Sequence, residues 1–170
     1  MSKLLLISSS RVHGTGVLEH CRDAITKHFA DINRVLFIPY ALQDHDGYES
    51  TIAAAFVPTG IEIKSIHHAA DPVEAVRQAK GIFIGGGNSF RLLKTLYDQN
   101  LLDPIRTAVR GCDFASRGSD SNGNGIPYMG SSAGTNMACP TIRTSNDMPI
   151  VQPPSFDALG LIPFQINPHF

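Results

Sequence analysis

The sequence predicts an α/β domain whose doubly wound, mostly parallel sheet is covered by helices on both faces. Short, continuously apolar runs alternate along the chain with segments whose apolar residues recur at helical spacing. Runs that are apolar throughout, rather than at every second residue, suit strands buried on both faces, as in parallel sheets. Two glycine-rich turns, Gly85-Gly86-Gly87 and Gly130-Ser131-Ser132-Ala133-Gly134, each follow such a run and precede a helical segment. A chain of 170 residues fits one domain with a substantial core, so 1–170 is expected as a single unit.

The elements follow in order. Residues 3–8 read as a strand, and 16–29 as a helix carrying Val17, Leu18, Cys21, Ile25 and Phe29 on one face. Residues 34–39 (RVLFIP) form the second strand, 48–57 the second helix and 61–67 the third strand. A third helix spans 71–79, with Asp71 as its cap and Pro72 in its first turn. The fourth strand is 81–84 (GIFI), which runs into the triglycine and then a helix marked by Phe90, Leu92, Leu93 and Leu96. The segment 115–125 (ASRGSDSNGNG) has no apolar member after Ala115 and reads as a solvated loop. A short strand at 126–129 leads into the second glycine-rich turn, and beyond Pro140 the chain is rich in proline and polar residues.

Composition excludes several classes. Hydrophobic content is 42% and charged content 17%, as in a globular protein, and no apolar run reaches the roughly 18 residues of a membrane span. The early run Leu4-Leu5-Leu6-Ile7 is too short for a secretion signal, which favours a cytoplasmic protein. A net charge of −1, with Lys and Arg scattered singly, provides no footprint for nucleic acid, so the expected partner is a small molecule. Cys21, Cys112 and Cys139 have no zinc-binding or redox spacing. No metal and no organic cofactor are expected.

Residues 130–134 match the G-x-S-x-G turn that raises a nucleophile above the end of a strand. Ser132 is central and is assigned the attack. The same turn leaves the Ala133 N–H at a helix start, where it can stabilise an oxyanion. The triglycine offers further backbone N–H groups for an oxyanion or a phosphate; it departs from G-x-G-x-x-G, because Ser89 and Phe90 occupy the place of the third glycine. Turns at the carboxyl ends of parallel strands border the crevice where open α/β sheets bind ligands. A serine hydroxyl needs a base, and of seven histidines only His169 follows the turn.

GGGNSFRLLK at 85–94, SSAGTNMACPTIRTSNDMPIV at 131–151, FDALGL at 156–161 and QINPHF at 165–170 resemble, in order, the signature blocks of the peptidase E (α-aspartyl dipeptidase) family. LLLISSS, RVLFIPYA and HHAADP are similar to family sequence too, so the resemblance covers essentially the whole chain. It implies a flavodoxin-like, three-layer fold related to class I glutamine amidotransferases. It also implies a cytosolic serine peptidase that cleaves dipeptides with N-terminal aspartate (Asp-X) through an acyl-enzyme, as a monomer or homodimer. By the same resemblance Ser132 is the nucleophile, His169 the base, and the Gly87 and Ala133 N–H groups the oxyanion hole. Asn88 and Asp147 fall in family blocks and help to shape the site, though Asp147 equally suits a carboxylate that holds its own loop.

Two departures from the family pattern stand out. A polar stretch at about 112–125 is inserted before the turn strand, and the sequence stops one residue after His169, where family members continue into the region that supplies an acidic third triad member and a substrate-binding arginine. The C-terminal part of the fold is thus expected to be missing, with Asp147 or Asp157 as possible substitutes. Two alternatives remain open: a catalytically impaired truncated isoform or fragment with a binding or regulatory role or none, and another hydrolase on the same scaffold, acting on β-linked aspartyl polymers or as a glutaminase-like amidase.

Overall fold

A computed structural model describes residues 2–111 and 125–169 of the chain. The insertion expected at about 112–125 lies, apart from Gly125, outside the described residues.

Five strands, β1 (Leu4–Ile7), β2 (Arg34–Ile38), β3 (Glu62–Ser65), β4 (Ile82–Ile84) and β5 (Tyr128–Ser131), form one sheet in the order β1-β5-β4-β2-β3. Every pairing among them is parallel. Among the described residues six helices form, α1 (Arg22–His28), α2 (His45–Phe56), α3 (Pro72–Gln78), α4 (Ser89–Asp98), α5 (Leu102–Arg110) and α6 (Ala133–Ala138). Successive side chains of a strand point to opposite faces, and the two cores divide accordingly. Val35 and Phe37 join Phe83 and Met129 against Ile25 of α1 and Ile52 and Phe56 of α2. Leu36 and Ile38 join Ile82 and Ile84 against Val76, Leu92, Leu96, Ile105, Val109 and Met137 of the other four helices. Each such side chain contributes about 1.5–3 kcal/mol when fully buried, so both helical layers are held by the same central strands. The chain is therefore a three-layer, flavodoxin-like α/β domain.

Several boundaries differ from the sequence expectation, each for a local reason. The first helix begins only at Arg22, because Leu18 takes a left-handed conformation (φ 59°) and a 3-10 turn, Glu19–Cys21, intervenes; Leu18 is buried without being helical. Helix α2 starts three residues earlier than predicted, because the Asp44 carboxylate accepts the Gly47 N–H at 2.9 Å and caps it. Strand β5 is displaced toward the turn: Pro127 has no N–H for the ladder, although its carbonyl still accepts from Ile82 N at 3.0 Å. Asp71 caps α3 as predicted, and helix α5, buried through Leu102, Ile105 and Val109, is an element whose apolar spacing the sequence reading did not delimit. After Pro140 the described chain forms no helix or strand, only a single bridge between Thr141 and Asp157.

At the end of α1, His28 is 7% exposed and its Nε2 lies 3.0 Å from the Tyr128 carbonyl oxygen. A carbonyl can only accept, so Nε2 carries a proton. Burial pushes this imidazole down to about 4, with the Lys3 charge acting in the same direction. The unfolded chain would protonate His28 near its ordinary value of 6.5, so the stabilising neutral state is fully present above that pH and is lost as pH falls toward 4. Unfolding free energy from urea titrations is expected to fall across this window by about 1.4 kcal/mol per pH unit from this group, and His28→Gln is expected to remove that slope.

Candidate active site

Between β5 and α6 the backbone makes a sharp turn centred on Ser132, at φ 53° and ψ −110°. A side chain in this region costs about 1–3 kcal/mol and persists only where its surroundings over-determine it. They do so here. Ser132 N donates to Ile7 O of β1 at 2.9 Å, and Ser132 O accepts from Thr135 N at 2.8 Å and Asn136 N at 3.1 Å. The buried Thr135 hydroxyl reaches Ile7 O at 2.7 Å and Gly130 O at 3.0 Å, and Tyr128 Oη donates to Gly134 O at 2.6 Å. A Cβ on Gly134 would sit 2.0 Å from Ile84 O, so only glycine lets α6 approach β4 this closely.

His169 arrives from the far end of the chain. Its Nε2 stands 2.6 Å from Ser132 Oγ, and its backbone N–H donates to Ser8 Oγ at 2.9 Å. The segment leading to it is tied down residue by residue. Gln165 Nε2 donates to Thr141 Oγ1 at 2.7 Å, Ile166 N to Cys139 Sγ at 3.3 Å, and Ile166 O accepts from Thr144 Oγ1 at 2.6 Å. Cys139 is fully buried and its thiol is pushed up by burial, so it serves as a packing and anchoring group.

The triglycine turn lies against the serine: a Cβ on Gly86 would be 3.0 Å from Ser132 Cβ. Gly86 N donates to Tyr48 Oη at 2.8 Å and Asn88 N to Ala41 O at 2.9 Å, while Gly87 takes φ 134°. Among the described hydrogen bonds the Gly87 and Ala133 N–H groups have no protein acceptor. Asn88 is a scaffold residue. Its Oδ1 accepts from Arg91 N at 3.0 Å, capping α4, and its Nδ2 donates to Met148 O at 2.8 Å.

Asp147 Oδ2 accepts from Ser89 N and Ser89 Oγ, both at 2.7 Å, and from Ser145 Oγ at 3.0 Å. It therefore pins the 141–148 loop to the start of α4, where the helix dipole favours a carboxylate. Asp157 is exposed and sits in the bridge to Thr141. Among the described residues, neither carboxylate bonds to His169, and no other does.

A cavity of about 440 Å³ opens over Ser132 and His169, and its lining includes Arg11, Asp44, Tyr48 and Gly86. Asp44 is occupied as the α2 cap; Arg11 is exposed and forms no ion pair among the described residues. Burial pushes the Tyr48 phenol up to about 12, so it stays neutral as it accepts from Gly86. Sequence reasoning missed Ser8, Arg11 and Tyr48. Their signals were the polar break directly after β1, and an aromatic one helical turn beyond a capping aspartate. A larger cleft, of about 570 Å³ beside β3 and α3, contains no serine–histidine pair of this kind.

The sequence matches the model of peptidase family S51 over residues 4–170. It is 49% identical over 167 residues to peptidase E of Streptomyces coelicolor, covering 98% of this chain and 63% of that protein. It is 50% identical over 169 residues to a Drosophila melanogaster protein named "probable alpha-aspartyl dipeptidase", covering 98% and 65% respectively. The chain thus spans just under two-thirds of the length of these two relatives. In structure it superposes with a TM-score of 0.66 on a Listeria monocytogenes EGD-e protein crystallised as a candidate peptidase E, at 22% identity over 97% of this chain and 77% of that one. With a strained serine turn on a five-stranded parallel sheet and a family match along nearly its entire length, this chain belongs to peptidase family S51.

Proposed function

We propose that the chain is a serine-type dipeptidase acting on dipeptides with N-terminal aspartate. The observation that carries this reading is the 2.6 Å approach of His169 Nε2 to Ser132 Oγ at a backbone geometry that only a specific demand would maintain. The serine hydroxyl donates its hydrogen to neutral His169, and Oγ attacks the scissile carbonyl carbon as the proton passes to Nε2. The oxyanion so formed is met by the Gly87 and Ala133 N–H groups, which have no protein acceptor among the described hydrogen bonds. Collapse returns the proton to the leaving amine and leaves an aspartyl ester on Ser132. Water, deprotonated by His169, then hydrolyses the ester. Support for an acidic substrate comes from the name of the Drosophila relative and from Arg11, a cation on the wall of the same cavity that forms no ion pair among the described residues.

A second reading, a chain impaired in catalysis, is favoured by one observation: among the described residues no carboxylate bonds to the His169 ring. In a comparable triad, loss of the orienting carboxylate costs about 10⁴ in kcat.

The purified chain is expected to release leucine from Asp-Leu and to react with a fluorophosphonate probe at Ser132, with both lost in Ser132→Ala. A folded chain that does neither supports the impaired reading, and turnover retained by Ser132→Ala refutes Ser132 as nucleophile. Arg11→Ala is expected to raise KM for Asp-Leu about tenfold, the size of one charge-assisted hydrogen bond, with little change in kcat. Ser132→Gly is expected to abolish turnover yet stabilise the fold by about 1 kcal/mol in denaturant titration, because glycine adopts this backbone without strain.

A further inference from the structure

On the other side of α2 from the cavity, four side chains converge that the peptidase reading does not use. Asp46 and Glu49 lie one helical turn apart, and His67 and His68 occupy the 3-10 turn after β3. One ligand atom from each lies within 4.8 Å of all the others. His67 Nε2 is 2.9 Å from Asp46 Oδ1; His68 Nε2 is 2.7 Å from Glu49 Oε2 and 3.7 Å from Asp46 Oδ1. Neighbouring residues usually aim apart, yet the turn brings these two rings to a centroid separation of 3.9 Å, with both Nε2 atoms within 4 Å of Asp46 Oδ1.

We infer that Asp46, Glu49, His67 and His68 form a binding site for a divalent transition-metal ion of the zinc type. Two imidazoles and two carboxylates are a tetrahedral zinc donor set, and the nitrogen ligands select against magnesium and calcium. Bonds of about 2 Å set the edge of such a tetrahedron at about 3.3 Å, and two of the four side chains, those of Asp46 and His68, are exposed enough to close onto it. The groups behind the ligands are also in place. The Oγ of buried Ser65 lies 2.5 Å from His67 Nδ1 and fixes the ring so that Nε2 faces the carboxylates. The Ser65 N–H holds Glu49 Oε1 at 2.9 Å and leaves Oε2 turned inward. Such outer partners are what orients ligands in metal sites. As plain surface ion pairs, these contacts would contribute only about 0–1 kcal/mol each, and only with the histidines protonated.

The test is calorimetric titration of the purified 170-residue chain with Zn²⁺ at neutral pH, with Co²⁺ absorption in the visible as a reporter of tetrahedral geometry. One equivalent is expected to bind in the micromolar range and to raise Tm. His67→Ala and the near-isosteric Glu49→Gln are each expected to abolish saturable binding, and Ser65→Ala to weaken it about tenfold. His169→Ala is expected to leave it unchanged. Circular dichroism of each metal-free variant confirms that it is folded. Absence of saturable binding up to about 1 mM Zn²⁺, far weaker than micromolar on the affinity scale, overturns the inference. So does one-equivalent binding that survives both His67→Ala and Glu49→Gln, or that disappears in His169→Ala.

Discussion

The strained backbone at Ser132 is the constraint around which the rest of the structure is arranged. An L-residue at φ 53°, ψ −110° would relax if any neighbour allowed it. Relaxation is blocked by strand β1 through the Ile7 carbonyl, by strand β4 through the Ile84 carbonyl against Gly134, and by the Tyr128 hydroxyl from within β5. The site is thus a property of three adjacent strands, the half-buried edge strand β1 and the buried β5 and β4. A defect in either helical layer acts on the serine through those strands.

Much of the fold was legible because the responsible residues act locally. Apolar runs gave the strands, Asp71-Pro72 gave a helix start, and G-x-S-x-G gave the turn. What was not legible depended on partners far along the chain. Leu18 fits the helical spacing of its neighbours and is buried, whereas its backbone is left-handed. Asp147 suits from sequence either a direct role or a loop-holding one, and its bonds to Ser89, 58 residues earlier, were not visible in its own segment. Ser132 and His169 could be paired by type and order, but not the Ser8 hydroxyl that receives the His169 N–H.

The long irregular segment after Pro140 has an architectural role that its composition hides. With no strand or helix of its own among the described residues, it satisfies its backbone on side chains of α5 and carbonyls of α6. Arg106 donates to the Ala158 and Leu159 carbonyls, Arg110 to that of Gly160, and Leu159 and Leu161 N–H groups donate to Met137 and Ala138. A histidine at the end of such a segment is held by polar contacts rather than by a core, and its position follows that of α6 closely.

The Ile7 carbonyl, which receives both the Ser132 amide and the Thr135 hydroxyl, also sets the order in which the site can be assembled. Strand β1 precedes the other four described strands along the chain, yet its sheet neighbour is β5, with Leu4 in register with Tyr128. A nascent chain must carry the β1 edge unpaired until residues beyond 130 have left the ribosome, and contacts of this sequence separation form late and slowly. The serine turn therefore cannot form early in folding: the strain at Ser132 is imposed only when β1 meets β5, two sheet neighbours that lie far apart along the chain.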